Sequence, residues 1–200
     1  MRIEIFSDMV CPWCYIGKRR LSIALERTGA RPDVVWRAFQ LDPAFPAGLR
    51  WTLAEAHVRR YGLDAAEDRR RRKAVTDVAA QVGLEYRLDR AVMANTADAH
   101  RLVKHGGAHG KGTETAEALM RAYAVEGRDI GDPVDLGGIA GELGLPPLEP
   151  GAYKKEVNED LARAARYGVR GVPSLVVDEK YLLVSPDADD LVGFLERRPG

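Results

Sequence analysis

Ile3 and Ile5 alternate with Arg2 and Glu4 and lead into Phe6, a two-residue period that predicts a short strand. The period then changes. Gly17, Leu21, Ala24 and Leu25 recur at helical spacing as far as Gly29, a residue suited to ending a helix. Asp33 to Phe39, rich in branched and aromatic side chains, predicts a second strand, and a strand–helix–strand unit makes the two strands parallel. From about Leu49 to Pro150 helical spacing dominates and no strand is expected. Asp64-Ala65-Ala66-Glu67 has the capping-box pattern for a helix running to about Val82 and closed by Gly83. Asn95-Thr96 caps a helix towards Gly106, Thr113 one that ends near Gly127, and Asp132-Pro133 reads as an N-cap followed by a proline at the first helical position. Tyr153, Val157, Leu161 and Ala164 mark the face of a helix that stops at Gly168. Two strands, Gly171 to Asp178 and Tyr181 to Val184, meet through a tight turn, and Ser185-Pro186-Asp187 caps a last helix carrying Leu191, Val192, Phe194 and Leu195. The order is β-α-β, about a hundred helical residues, then α-β-β-α. An α/β unit of residues 1–48 and 151–200, interrupted by an all-α subdomain of residues 49–150, accounts for it.

The chain has two cysteines, and they stand three apart in Cys11-Pro12-Trp13-Cys14, between the first strand and the first helix. A helix N-terminus offers unpaired N–H groups and the positive end of the macrodipole, which favour a thiolate. Residues i and i+3 of one turn have Cβ atoms about 5–6 Å apart, close enough for a disulfide after a small adjustment. Cys11 occupies the helix entry, the last exposed position, and is the expected nucleophile; Cys14, one turn in, is the expected shielded, resolving thiol. Pro12 suits the first helical position, where its missing N–H costs nothing. Trp13 is expected to turn an apolar surface towards a partner. Half a zinc site is the competing reading, but the chain supplies no third cysteine, so no metal is expected.

The segment Asp8-Met9-Val10-Cys11-Pro12-Trp13-Cys14-Tyr15-Ile16-Gly17-Lys18-Arg19-Arg20 resembles the active-site segment of the FrnE-like branch of the DsbA family, thiol–disulfide oxidoreductases with a thioredoxin fold and a helical insertion. Phe39-Gln40-Leu41-Asp42-Pro43 is similar to that family's Phe-Glu-Leu-Asn-Pro segment beside the cysteines, departing from it at Gln40 and Asp42. Asn95 to Leu102, with Asn95 and His100, resembles a segment that faces the active site there, which makes His100 a candidate proton shuttle. Gly127-Arg128-Asp129-Ile130 is a further recurring piece. The resemblance implies that Pro173 of Gly171-Val172-Pro173 is cis and lies opposite the nucleophilic cysteine, leaving the Val172 backbone free to pair with an extended substrate. Candidate substrate-binding residues are therefore Pro12, Trp13, Phe39, Gln40, Asn95, His100, Val172 and Pro173.

The remaining features are weaker. His105 and His109 have the i, i+4 spacing of a helical metal pair, but Gly106, Gly107 and Gly110 argue against a helix, and from the residues alone these two and His100 are expected to be mostly solvated. Gly106 to Thr113 looks like a phosphate loop only superficially, since Lys111 is followed by Gly112 and no strand precedes it. Arg69 to Lys73, flanked by Glu67, Asp68 and Asp77, reads as a solvated helix face.

Thirty basic and 30 acidic residues cancel, so no global field recruits nucleic acid or anionic lipid. No apolar run approaches the ~20 residues of a membrane span. Arg2 to Phe6 enters a strand without a positive-then-apolar leader, and a cytoplasmic protein is expected. Its partners would be protein or small-molecule thiols and disulfides, with glutathione as a candidate exchange partner, no organic cofactor, and a monomeric or homodimeric state. The same scaffold serves kappa-class glutathione transferases and hydroxychromene carboxylate isomerases, which carry serine at the position of Cys11, and the retained pair favours redox chemistry. A non-catalytic, chaperone-like binding protein is the third alternative.

Overall fold

The computed structural model describes residues 1–197. The chain opens with β1 (Arg2–Ser7), α1 (Pro12–Thr28) and β2 (Asp33–Ala38). An insertion follows, with β3 (Trp51–Thr52), α2 (Leu53–Arg59), α3 (Ala65–Gln81), β4 (Val92–Met93), α4 (Ala97–Ala108), α5 (Gly112–Arg121), a π-helical turn at Ala122–Glu126, and α6 (Pro133–Glu142). The chain returns through α7 (Lys154–Arg166), β5 (Ser174–Val177), β6 (Tyr181–Val184) and α8 (Ala188–Glu196). The main sheet has strand order β2-β1-β5-β6. β2 runs parallel to β1 with Ile5 opposite Trp36, whereas β5 and β6 are antiparallel to their neighbours. This is the thioredoxin fold with a helical insertion that the order of elements predicts.

β1 is central and is buried along both faces from Ile3 to Ser7. Ile3 and Ile5 belong to the large core, which continues without a break through α1 and α8 and out into the insertion at Leu102, Leu119 and Ile139. Phe6 lies on the opposite face in a smaller cluster with Ala164, Val169 and Val176.

Glu4 shares that second face and is also buried, so it needs partners. Arg37 donates to it at 2.6 Å and Arg163 at 2.9 Å. Arg37 also reaches Asp160 at 3.0 Å, and Asp160 in turn pairs with Lys104 and accepts the Ala38 N–H at 2.8 Å. Burial alone would raise the Glu4 pKa, but hydrogen bonds from Arg163 and Arg37 outweigh it and hold the carboxyl below its ordinary value of 4.5. The unfolded chain therefore binds the proton first as pH falls. The Glu4 contribution is complete above about 4.5 and is lost as pH drops through the lower folded-state value. Urea titrations between pH 3 and 6 should show stability falling more steeply for the wild type than for Glu4→Gln.

Several local expectations change. The insertion is not wholly helical: Trp51 pairs with Met93 and Thr52 with Val92 in a two-residue ladder, too short to leave a period in the sequence. Asp64 caps α3 through the Ala66 and Glu67 N–H groups, but Glu67 turns its carboxylate to Arg70 and Arg71 and the reciprocal half of the box is missing. α5 starts at Gly112 with Lys111 at its N-cap rather than at a Thr113 cap, and the Thr113 hydroxyl accepts from the Trp36 indole N–H instead.

α4 continues through Gly106 and Gly107 to Ala108. A Cβ on Gly106 would fall 2.0 Å from the Thr115 hydroxyl, so the glycine serves the close approach of α5 rather than a helix stop. His100 and His105, expected to be solvated, are consequently buried on the inner face of α4, with His105 hydrogen-bonded to the Pro146 carbonyl.

Candidate functional site

The Cys11-Pro12-Trp13-Cys14 turn is built by the exit from β1. The Asp8 carbonyl accepts the Cys11 N–H at 3.0 Å, and the Cys11 carbonyl accepts the Cys14 N–H at 3.0 Å. Cys11 is the N-cap of α1 in an extended conformation, with Pro12 at the first helical position and no acidic side chain in the first turn to offset the helix terminus. Both cysteines are free thiols.

Gly17, one turn further on, receives the ring of Pro173: a Cβ there would lie 2.8 Å from the proline Cγ. That contact brings the segment before β5 against α1. The Val172–Pro173 peptide is cis, and the Val172 carbonyl oxygen lies 3.8 Å from the Cys11 sulfur.

The two thiols have different environments. Burial pushes the Cys14 thiol well above its ordinary pKa, the adjacent Cys11 sulfur adds to this, and the Ser7 hydroxyl opposes both. Cys14 is thus held as a neutral thiol. Cys11 is not the exposed position expected from the helix entry: only 5% of its surface is accessible, because the insertion packs over it. Cys11 instead lines a cavity of about 300 Å³ between α1 and the insertion.

Pro12 and Trp13 form one side of this cavity, with Trp13 44% exposed. Leu41 lines another side, and Leu53, Val75, Leu88 and Met93 supply the insertion's apolar wall. Tyr123, His57 and Tyr61 also line it, with Arg71 and Arg72. The last two come from the basic run read as a solvated face. That reading holds for the outward Arg70 and Lys73, paired with Glu67 and Asp77, but α3 turns Arg72 inward, where Asp68 holds it. Nothing local in the sequence marks Leu53, His57 or Tyr123 as neighbours of Cys11, since only the packing of the insertion brings them there.

Of the other candidates, Phe39, Gln40, Asn95 and His100 lie behind the wall rather than in it. Asn95 donates to the Phe45 carbonyl at 2.8 Å, Gln40 reaches Asn95 at 3.4 Å, and the His100 Nε2 bonds the Phe39 carbonyl at 3.0 Å. Together they fix the loop that delivers Leu41. The same His100 nitrogen is 3.5 Å from the buried Asp8 carboxylate, whose other oxygen accepts the Leu41 N–H at 2.7 Å.

The insertion is clamped to the turn. The Tyr86 hydroxyl donates to the Pro12 carbonyl at 2.6 Å and its ring stacks on Tyr15, while Lys18 pairs with Glu117 at 2.6 Å. Burial, and then the charge of Cys11, raises the Tyr86 pKa, so the phenol keeps its proton and remains a donor. Among the described residues no group of three or more His, Cys, Asp or Glu side chains is placed to hold a metal ion, and no helix is long and apolar enough to cross a membrane.

A model of the DSBA-like thioredoxin domain matches residues 2–197. The crystal structure of a probable DsbA oxidoreductase from Streptomyces coelicolor superposes with a TM-score of 0.92 at 30% identity, covering 98% of this chain and 89% of that one. The cytosolic disulfide reductase DsbM from Pseudomonas aeruginosa, at 24% identity, gives a TM-score of 0.68 over 99% of this chain and 98% of its own; it has also been solved with GSH. A 2-hydroxychromene-2-carboxylate isomerase, at 16% identity, shares the fold with a TM-score of 0.70 over 98% of this chain and 94% of its own.

Proposed function

This chain belongs to the DSBA-like thioredoxin family, and we propose that it exchanges thiols and disulfides through Cys11 and Cys14. The carrying observation is the arrangement of two free thiols at the start of α1, with Cys11 lining the cavity and its sulfur beside the Val172 carbonyl. In the reduced protein the Cys11 thiolate attacks one sulfur of a substrate disulfide. The substrate S–S bond breaks, one substrate thiolate leaves, and Cys11 is joined to the other half. Cys14 then loses its proton and attacks the Cys11 sulfur, which releases the second substrate thiolate and leaves the Cys11–Cys14 disulfide. In the oxidised protein a substrate thiolate drives the same steps in reverse.

Burial of Cys14 supports this division of labour: a thiol held neutral does not compete as the attacking sulfur, and it is already in place for resolution. Exchange with glutathione, in a cytoplasmic setting, is part of the proposal. Its support is the fold shared with a reductase named as cytosolic and solved with GSH.

The test is equilibration in glutathione buffers of graded potential, with mass spectrometry after acid quench. A reversible Cys11–Cys14 disulfide should appear with a midpoint between about −120 and −270 mV, the span between strongly oxidising and reducing members of the fold. Failure to form it at any ratio overturns the proposal. A glutathione-dependent isomerase or transferase would keep its activity in Cys14→Ser, and a chaperone would keep its activity without either thiol.

A further inference from the structure

Tyr123 is a lining residue that the insertion contributes to the Cys11 cavity. It lies in the π-helical turn Ala122–Glu126, where α5 gives way to a wider winding. Such turns shift side chains around the helix and recur at functional sites. Here the turn is closed by Gly127 at φ 72, against which Arg90 packs so tightly that a Cβ would fall 2.9 Å from the Arg90 carbonyl oxygen. The Arg87 N–H bonds the Ala124 carbonyl at 2.8 Å from the same side. The backbone of the turn is therefore tied to the Arg87–Arg90 segment.

Tyr123 is 1% exposed, yet no described residue offers its hydroxyl a hydrogen-bond partner. Burying a hydroxyl without a partner works against folding, and such a group calls for an explanation. Apart from Trp13, which is exposed to water, the polar side chains at the cavity named above are satisfied by the protein itself. His57 and Arg72 meet at Asp68, Arg71 pairs with Glu67, and the Tyr61 hydroxyl donates to Asp42. Among the described lining residues, Tyr123 alone carries a buried side-chain polar atom without a partner.

We infer that the Tyr123 hydroxyl is a substrate-binding donor on the inner wall of the Cys11 cavity, and that the preferred substrate carries, next to its reacting sulfur, an apolar group bearing a hydrogen-bond acceptor. The inference rests on the exchange reaction proposed above and names its substrate class. The cavity volume of about 300 Å³ is at the small end for ligand pockets, so it takes one large side chain or a small molecule. Its walls at Leu41, Leu53, Val75, Leu88 and Met93 suit an aliphatic or aromatic group. A carbonyl oxygen on that group supplies the acceptor. Burial, reinforced by the negative charges of Cys11 and Asp8, raises the Tyr123 pKa, so the phenol is a donor throughout the working pH range. The proton stays on the tyrosine oxygen during exchange, and only the sulfur–sulfur bonds change. Because the hydroxyl has already lost its water on folding, a bond to substrate adds to affinity without a second desolvation cost.

The test compares three probe disulfides with wild type and Tyr123→Phe, following release of thiol by the reduced protein. The disulfide of N-acetyl-phenylalanyl-cysteine amide has both the apolar group and the acceptor. That of N-acetyl-glycyl-cysteine amide has only the acceptor, and bis(2-phenylethyl) disulfide, added from a co-solvent, has only the apolar group. The wild type should react fastest with the phenylalanyl probe. Tyr123→Phe should slow that probe about tenfold, the loss of one hydrogen bond, and leave the phenylethyl probe unchanged. Its melting temperature should stay the same or rise, because the free protein loses no bond. Equal effects on those two probes, no effect on either, or a glycyl probe as fast as the phenylalanyl one would each overturn the inference while leaving the exchange reaction standing. A wild type that reacts with none of the three overturns both.

Discussion

Cys11→Ser is expected to bring disulfide exchange down to the uncatalysed rate, and Cys14→Ser to trap the substrate as a mixed disulfide on Cys11. The asymmetry follows from the two environments. Cys11 sits at the head of α1 and lines the cavity, which Cys14 does not, so it is the thiol an incoming disulfide meets. Cys14 is enclosed and held neutral by burial, so it reacts only with a sulfur brought to it, which is the one already on Cys11. Removing the first thiol removes the acceptor of the substrate. Removing the second leaves the first step intact and blocks the resolution that frees the product. Incubating each variant with a peptide disulfide, quenching with acid and mapping the adduct by mass spectrometry separates the roles. An adduct on Cys14 in the Cys11→Ser variant, formed at a rate comparable to that on Cys11, would reverse the assignment.

The largest loss of stability from a single substitution away from the thiols should come from Asp160→Ala, at about 3–5 kcal/mol. Asp160 is buried on α7 and is shared by Arg37, Lys104 and the Ala38 N–H. Its removal strands a lysine whose pKa is already lowered by burial, leaves Arg37 to Glu4 alone and opens a buried backbone donor on β2. Asp160→Asn retains an acceptor for the Ala38 N–H and should cost less. Urea denaturation at pH 7 gives both values. A loss under about 1 kcal/mol for Asp160→Ala would mean that water reaches the network and that the bond between α7 and the sheet is weaker than its burial implies.

The two substitutions report on different links of the same construction. The charged network fixes α7 and α4 to the edge of the sheet at β2, whereas the thiols lie at the end of the sheet where β1 passes into α1. Asp160 variants that remain folded should therefore exchange disulfides at close to the wild-type rate.

What the sequence determined by itself is local. The period of β1, the helical spacing of α1, the αL glycine at position 29, the Asp132-Pro133 cap and the branched runs of β5 and β6 are set by neighbours a few residues apart, and each appears where the pattern put it. The Cys-Pro-Trp-Cys turn is local in the same sense, and with the order of elements it was enough to place the chain in its family. Tertiary structure decided everything that depends on which distant surfaces meet. Gly106 and Gly107 look like helix breakers in one dimension, but Gly106 lies inside α4 because Thr115 of another helix needs the space of its missing Cβ. Glu4 alternates with Ile3 and Ile5 in the sequence and is nevertheless buried, because β1 is central and three cations from elsewhere in the chain gather around it and Asp160. Tyr123, more than a hundred residues from Cys11, acquires its place at the thiol only through the π-helical turn and the packing of the insertion. Periodicity and capping act over one or two turns of chain, whereas burial, charge pairing and cavity walls are properties of contacts between segments, and those exist only once the chain has folded.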